Sequence, residues 1–187
     1  SGGSMSKMSN VDALRSVLLI IDIQTKLEPA IADFSAILKC SLQLSQASLV
    51  HKIPTLITEQ YKKGLGATNQ TLQDAVPQAD YFHKTHFSAC AEPGFLAQLA
   101  KYTRPQVVVI GTEAHVCVLQ TCLDLLQYGY EVIIAVDAIG SRNDNHKIIA
   151  TEQLRQAGAI ISSTESIIFQ WTKQAATPNF KKILPII

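Results

Sequence analysis

SVLLIID, residues 16–22, contains five consecutive apolar side chains, at 17–21, and ends in an acid. Apolar and polar residues do not alternate along it, which is typical of a β-strand covered on both faces. Such strands occur mostly in α/β proteins, where helices pack against both sides of a parallel sheet. The run therefore predicts an α/β fold with a buried central strand.

Five shorter apolar runs resemble this strand, and longer amphipathic stretches separate them. Further strands are predicted at residues 55–58, 81–84, 106–111, 131–136 and 159–161. Helices are predicted at residues 34–51, 92–102, 114–128, 146–157 and 164–172, followed by a tail from residue 177. Strands that alternate with helices indicate βαβ units with right-handed crossovers. We therefore expect a three-layer, doubly wound, Rossmann-like α/β fold with a mostly parallel sheet of about six strands.

The length and composition indicate one globular domain. The chain has 187 residues, of which 47% are apolar and 17% charged, and its net charge is +1. Residues 8–187 are predicted to form a single domain, and residues 1–7, which begin with SGGS, a tag or disordered terminus. The charge is too small to attract nucleic acid, and no apolar run approaches the ~20 residues of a membrane helix. We expect no nucleic-acid or membrane partner, and a cytoplasmic or other intracellular location.

Three ionisable residues of complementary chemistry follow predicted strands. Asp22 ends the first strand, Lys84 ends the third, and Cys117 lies just beyond the fourth, in the first turn of a helix. The carboxyl ends of parallel strands share one edge of the sheet, where open α/β folds bind ligands. We therefore expect these side chains to converge. Taken singly, each residue has a plainer interpretation. Asp22 could form a structural ion pair or a helix cap, Lys84 could be a surface lysine, and Cys117 could be a small buried side chain.

The position of Cys117 suggests how its thiol could be activated. A thiol at a helix N-terminus lies among unpaired N–H groups, which lower its pKa and favour the thiolate. The same N–H groups can stabilise the oxyanion that forms when sulfur attacks a carbonyl. With Asp22 as base and Lys84 to hold the base, the residues form a nucleophile–base–orienter set. Small buried hydrophobic roles are assigned to the other cysteines, Cys40, Cys90 and Cys122.

Four ordered segments resemble the isochorismatase-like cysteine hydrolases, which include nicotinamidases, N-carbamoylsarcosine amidohydrolases and ureidoacrylate hydrolases. They are LLIIDIQ at 18–24, KTHFSA at 84–89, GTEAHVCV at 111–118 and VDAIGSR at 136–142. A closer likeness to the isochorismatase domain-containing proteins is carried by TEQY at 58–61, GLG at 64–66 and EAHVC at 113–117. The resemblance implies an isochorismatase-like fold and hydrolase activity, and it does not supply the substrate.

The resemblance also implies roles for individual residues. It assigns a catalytic triad to Asp22, Lys84 and Cys117. It implies a non-proline cis peptide bond between Thr112 and Glu113. By position, the N–H groups of Glu113 and Cys117 would form the oxyanion hole.

One departure from the nicotinamidase pattern concerns metal binding. Nicotinamidases carry an Asp-x-His and further histidines after the second strand, whereas the stretch TEQYKKG at 58–64 has no histidine. The five histidines of the chain are scattered, and metal ions require clustered ligands. We therefore predict no catalytic metal and no other cofactor, and we expect no nicotinamidase activity.

The predicted function is hydrolysis of a C–N bond in a small, neutral amide, ureido or related molecule through a thioester on Cys117. Isochorismatases proper cleave a vinyl ether without a thiol nucleophile, so a cysteine in this turn favours acyl chemistry. Two alternatives stay open. One is an ester or vinyl-ether hydrolase with the same triad, and the second is a non-catalytic scaffold with a redox-sensitive Cys117.

The remaining predictions concern the surroundings of the site. Long connections are usually functional or mobile, and the longest in this chain spans residues 59–79. Four residues near the expected site are candidates for the pocket lining: Gln24, Tyr61, Phe87 and His115. Packing is the plainer role for Tyr61 and Phe87, and solvent exposure is the plainer role for His115. Besides a small-molecule substrate, we expect a second copy of the chain as partner, in a homo-oligomer.

Overall fold

A six-stranded parallel sheet forms the centre of the computed structural model, which describes residues 10–187. The strands are β1 (Ser16–Ile21), β2 (Thr55–Gln60), β3 (Asp80–Lys84), β4 (Gln106–Thr112), β5 (Glu131–Gly140) and β6 (Ile160–Ser162). Their order is β3-β2-β1-β4-β5-β6, and all neighbours are parallel. Strands β2 and β3 are added on one side of β1 and strands β4 to β6 on the other, so the switch point of this doubly wound fold lies between β1 and β4. The predicted fold is confirmed.

Helices connect the strands and cover both faces of the sheet. They are α1 (Phe34–Val50), α2 (Lys62–Leu65), α3 (Gln70–Ala75), α4 (Phe95–Ala100), α5 (Leu119–Gln127), α6 (Asp144–Ala157), α7 (Thr164–Thr172) and α8 (Pro178–Ile183). A five-residue π-helical turn, Ala114–Val118, precedes α5. Along residues 10–187, no helix is both long enough and apolar enough to cross a membrane.

The central strand β1 is buried along its whole length, as its unbroken apolar sequence predicts. Successive side chains of a strand point to opposite faces. Leu18 and Ile20 therefore pack with α1 and α7, whereas Val17, Leu19 and Ile21 pack with α4 and α5. Burying one such side chain contributes roughly 1.5–3 kcal/mol. This strand therefore requires a helical layer on each side.

Several predicted boundaries were wrong. The strands β2 and β5 continue to Gln60 and Gly140, because pairing in the sheet extends beyond the apolar residues. Residues 59–79 contain α2 and α3 rather than an irregular loop. The helix predicted from residue 92 begins at Phe95, after Gly94 at a φ of 94°.

The predicted tail from residue 177 instead contains α8. Thr177 caps this helix by accepting a hydrogen bond from the N–H of Phe180, and Pro178 occupies its first turn. A threonine cap followed by proline is a helix start signal that we overlooked. The predicted tag or disordered segment at residues 1–7 lies outside the described residues, and the single domain at residues 8–187 stays a prediction.

Candidate active site

The switch point brings Asp22, Lys84 and Cys117 together at the carboxyl edge of the sheet. Asp22 directly follows β1, and Cys117 lies in the π-helical turn after the neighbouring strand β4. Lys84 is the last residue of β3, two strands from β1. Its side chain reaches across β2, and its Nζ donates to Asp22 Oδ2 at 2.9 Å.

The pair formed by Asp22 and Lys84 is buried and densely hydrogen-bonded. Their side chains are 1% and 0% exposed. Thr58 Oγ1 donates to the other carboxylate oxygen of Asp22 at 2.8 Å. Lys84 Nζ also donates to Gln60 Oε1 at 2.7 Å and to the carbonyl oxygens of His86 and Phe87 at 3.2 and 3.1 Å. Partners on every side are what a buried ion pair requires to persist.

The backbone fixes the end of β1 against the end of β4. Asp22 lies in the left-handed region at a φ of 50°, which aspartate tolerates better than most residues. Thr112 Oγ1 donates to the Asp22 carbonyl at 2.7 Å. Gly111 has a φ of 131°, and a Cβ on it would collide with the carbonyl of Ile21. Only glycine allows this close approach of the two strands.

Cys117 lies in a turn of unusual backbone geometry. The peptide bond between Thr112 and Glu113 is cis. The Glu113 carbonyl accepts hydrogen bonds from the N–H groups of Val116 and Val118, the residues on either side of Cys117, at 3.1 and 3.2 Å. The thiol is buried, with a residue exposure of 6%.

The expected low pKa of Cys117 is wrong. Burial raises the pKa of this thiol to about 12, and the Asp22 carboxylate adds to the increase, whereas Lys84 opposes it. Loss of hydration disfavours the charged form of a buried thiol. The raised pKa favours the protonated thiol of Cys117.

A small cavity of about 110 Å³ opens in front of Cys117. Its walls combine Asp22 and Cys117 with further polar side chains and four apolar ones. The lining residues are Asp22, Leu27, Gln60, Leu65, Phe87, Thr112, Glu113, Val116 and Cys117. Lys84 is not among them, although its ammonium group donates to two of the lining residues, Asp22 and Gln60.

Of the four predicted pocket residues, Phe87 lines this cavity and the others do not. Gln24 is fully buried, and its amide bonds to the backbone of Gln60 and Gly66. Tyr61 is exposed to solvent. His115 stacks on His146, with ring centroids 4.5 Å apart. Sequence proximity was misleading because Gln24 and His115 contact other parts of the protein and Tyr61 faces solvent.

The sequence interpretation missed Gln60 and Leu65. Gln60 was placed beyond the end of β2, although it pairs with Lys84 across the sheet. Leu65 lies in α2, inside the stretch predicted as a loop. The Glu113 side chain accepts bonds from the N–H and Nε of Arg142 at 3.0 and 3.2 Å.

Metal-ligating side chains do not gather around this site. Within residues 10–187, no group of three or more histidine, cysteine, aspartate or glutamate side chains is placed to hold a metal ion. All four cysteines are free thiols. The absence of a metal and of any other cofactor stays a prediction.

A buried thiol beside an ion-paired carboxylate, at the switch point of a doubly wound sheet, defines an α/β protein with an enzyme-like cavity. An isochorismatase domain model matches residues 16–166. Isochorismatase family protein 1A of Dictyostelium discoideum is 40% identical, with 97% of this chain and 90% of that protein covered. The structure described as MAR1 ribonuclease from Caenorhabditis elegans has a TM-score of 0.90 at 37% identity, over 96% of this chain and 92% of that one.

The chain therefore belongs to the isochorismatase family, whose members are generally hydrolases. The resemblance seen in the sequence motifs is confirmed. A further relative, the secreted isochorismatase effector Isc1 of Phytophthora sojae, is 35% identical over 92% of this chain and 84% of that protein. Because one relative is secreted, family membership does not fix the compartment, and the cytoplasmic location stays a prediction.

Proposed function

We propose that the protein hydrolyses the C–N bond of a small amide, ureido or related molecule through a thioester on Cys117. The observation that carries this proposal is the shared cavity of Cys117 and Asp22, with Lys84 bonded to Asp22 from behind. A nucleophile, a base and a group that orients the base are the parts that covalent catalysis needs.

The first step of the proposed reaction forms the thioester. As the Cys117 sulfur attacks the substrate carbonyl, its proton moves to Asp22, which avoids a free thiolate in this buried site. The N–H groups of Glu113 and Cys117 are the proposed donors to the oxyanion. When the tetrahedral intermediate collapses, the C–N bond breaks and Asp22 returns the proton to the leaving amine.

The second step releases the acid product. Asp22 takes a proton from a water molecule, and the hydroxyl attacks the thioester carbonyl. The C–S bond then breaks, and the sulfur regains a proton from Asp22. Lys84 and Thr58 hold the Asp22 carboxylate in place throughout both steps, because each donates to one of its oxygens.

The test is turnover of a library of small amides and ureido compounds. Cys117→Ala should abolish turnover, and Asp22→Asn should lower it by about 10²–10⁴-fold, the usual contribution of a general acid–base group. A substrate that turns over should leave an acyl adduct on Cys117, visible by intact mass after a rapid quench. Near-normal turnover by Cys117→Ala would contradict covalent catalysis and favour an ester or vinyl-ether hydrolase.

A redox-sensitive scaffold and an RNA-cleaving enzyme have less support from the site. A redox-sensitive thiol would be expected to ionise easily, whereas burial raises the pKa of Cys117 to about 12. The C. elegans relative is named a ribonuclease. No cationic side chain lines the cavity described here to meet a phosphate, so we do not propose RNA cleavage.

We also propose that the chain forms a homo-oligomer. Several large apolar side chains are exposed on the described surface, including Leu14, Ile148 and Ile149. A contiguous exposed apolar patch is typical of an interface, and Ile148 and Ile149 are adjacent on α6. Light scattering of the purified protein measures the number of chains directly.

A further inference from the structure

The charges around the cavity are already paired within the protein. Asp22 is bonded to Lys84 at 2.9 Å, and Glu113 is bonded to Arg142 at 3.2 Å. Lys84 has no capacity for another acceptor, because its ammonium already faces four oxygens. Among residues 10–187, no lysine or arginine side chain lines the cavity, and Lys26 nearby is exposed outside it. A substrate anion would therefore meet acids and no free cation.

The neutral polar side chains of the lining are also occupied. Gln60 accepts from Lys84 and donates to the Thr85 carbonyl at 2.8 Å. The Thr112 hydroxyl donates to the Asp22 carbonyl. A polar substrate group at these walls would compete with hydrogen bonds that the protein already makes, which limits its gain in affinity.

The remaining walls are apolar and close together. Leu27, Leu65, Phe87 and Val116 complete a cavity of about 110 Å³. These four side chains bound the space beside Cys117 and leave room for a compact group there. These walls select by size and by apolar contact.

We propose that the site selects a compact, uncharged acyl group with a small apolar substituent and rejects substrates with a carboxylate or phosphate near the scissile carbonyl. This inference rests on the proposed function, because it names the substrate class of the same cysteine. The specificity comes from the closed ion pairs and the apolar walls, while the proposed N–H donors of Glu113 and Cys117 bind only the substrate carbonyl oxygen.

The experiment compares alkylation of Cys117 by iodoacetamide and by iodoacetate, which differ in charge and little in size. Each rate is divided by the rate with 2-mercaptoethanol, a neutral thiol, and modification is assigned to Cys117 by peptide mass. The normalised rate with iodoacetate should be lower by about tenfold or more, because an unpaired anion must enter beside acids. Equal normalised rates would overturn the proposal.

A matched pair of variants tests whether the missing cation is the cause. Leu27 is half-buried in the cavity wall, so a longer polar side chain fits there without entering the core. Leu27→Lys should raise the normalised iodoacetate rate several-fold, because it supplies a cation at the wall. Leu27→Gln has similar length and no charge, and it should leave the preference for iodoacetamide in place. An equal gain in both variants would show that space, not charge, decides, and would overturn the proposal.

Size selection is tested in the same assay with N-benzyl iodoacetamide. This reagent is neutral and bulky, so its normalised rate at Cys117 should also be low. A rate equal to that of iodoacetamide would refute the role of the apolar walls. None of these measurements needs turnover, so the charge preference can hold even if no amide is hydrolysed, and amide hydrolysis can hold without it.

Discussion

At the scale of single residues, the buried ion pair of Asp22 and Lys84 should affect stability strongly when one of its partners is removed. Removing one partner from such a pair leaves an uncompensated buried charge, whereas removing both does not. Each side chain is at most 1% exposed, so water cannot replace the missing partner without opening the fold. Stability therefore tests this pair independently of catalysis.

Lys84→Met should lower the free energy of unfolding by about 3–5 kcal/mol, the usual effect of breaking a buried ion pair. The double variant Asp22→Asn with Lys84→Met removes both charges and should recover part of this loss. Urea unfolding at pH 7.5 measures both effects. A loss below about 1 kcal/mol in the single variant would mean that the pair contributes little.

The residue types of the candidate site were predictable from the sequence, and their electrostatics were not. Asp22, Lys84 and Cys117 follow strands, so the strand order of a doubly wound sheet places them at one edge. The pKa of Cys117 depends on how much water reaches the sulfur, which no local pattern of residues reveals. Gln60 was missed for a related reason, because its role comes from pairing with β3.

At the scale of elements, the segment from α2 to Thr68 forms one wall of the cavity through Leu65. Glu59 holds this segment: its Oε2 accepts from the N–H and the hydroxyl of Thr68, both at 2.8 Å. Glu59 is 2% exposed, with His83 Nε2 3.2 Å and Lys62 Nζ 3.7 Å from its other oxygen. The apolar periodicity of the sequence gives no sign of a carboxylate in this role.

Glu59→Ala should destabilise the protein by about 1–3 kcal/mol, because the buried N–H of Thr68 loses its acceptor. It should also speed hydrogen exchange at the Thr68 amide. Glu59→Gln keeps an acceptor of similar shape and should cost less. If exchange at Thr68 were the same in Glu59→Ala as in the unmodified protein, Glu59 would not be what holds the segment.

At the scale of the whole molecule, the sequence predicted the architecture well because one physical signal dominates it. Apolar runs without alternation require cover on both faces, and β1 and β4 are buried at every position. The short helices were harder to predict. Four or six residues, as in α2 and α3, are too few for a helix to be stable by itself, so tertiary contacts decide their existence.

Burial of the cysteine thiols should make the stability of the whole protein depend on pH in the alkaline range. Burial raises the pKa of Cys40 and of Cys122, and it raises the pKa of Cys90 and Cys117 to about 12, from an ordinary value of 9.0. A group whose folded pKa is raised stabilises the fold fully below its unfolded pKa. That contribution is lost as the pH rises towards the folded value, because the unfolded chain then holds fewer protons.

The free energy of unfolding should therefore fall between pH 8.5 and 10.5, by up to about 1.4 kcal/mol per pH unit for each cysteine that releases a proton on unfolding. Burial also raises the pKa of Tyr102 to about 12, which acts in the same direction at the upper end of this range. Urea unfolding across the range measures the slope. Cys122 is completely buried, so Cys122→Ala should lower stability at pH 7.5 by leaving a small cavity. Because this variant has one buried thiol fewer, its free energy of unfolding should fall less steeply with pH between pH 8.5 and 10.5. An unchanged slope in Cys122→Ala would show that ionisation of the buried thiols does not set the alkaline limit of this fold.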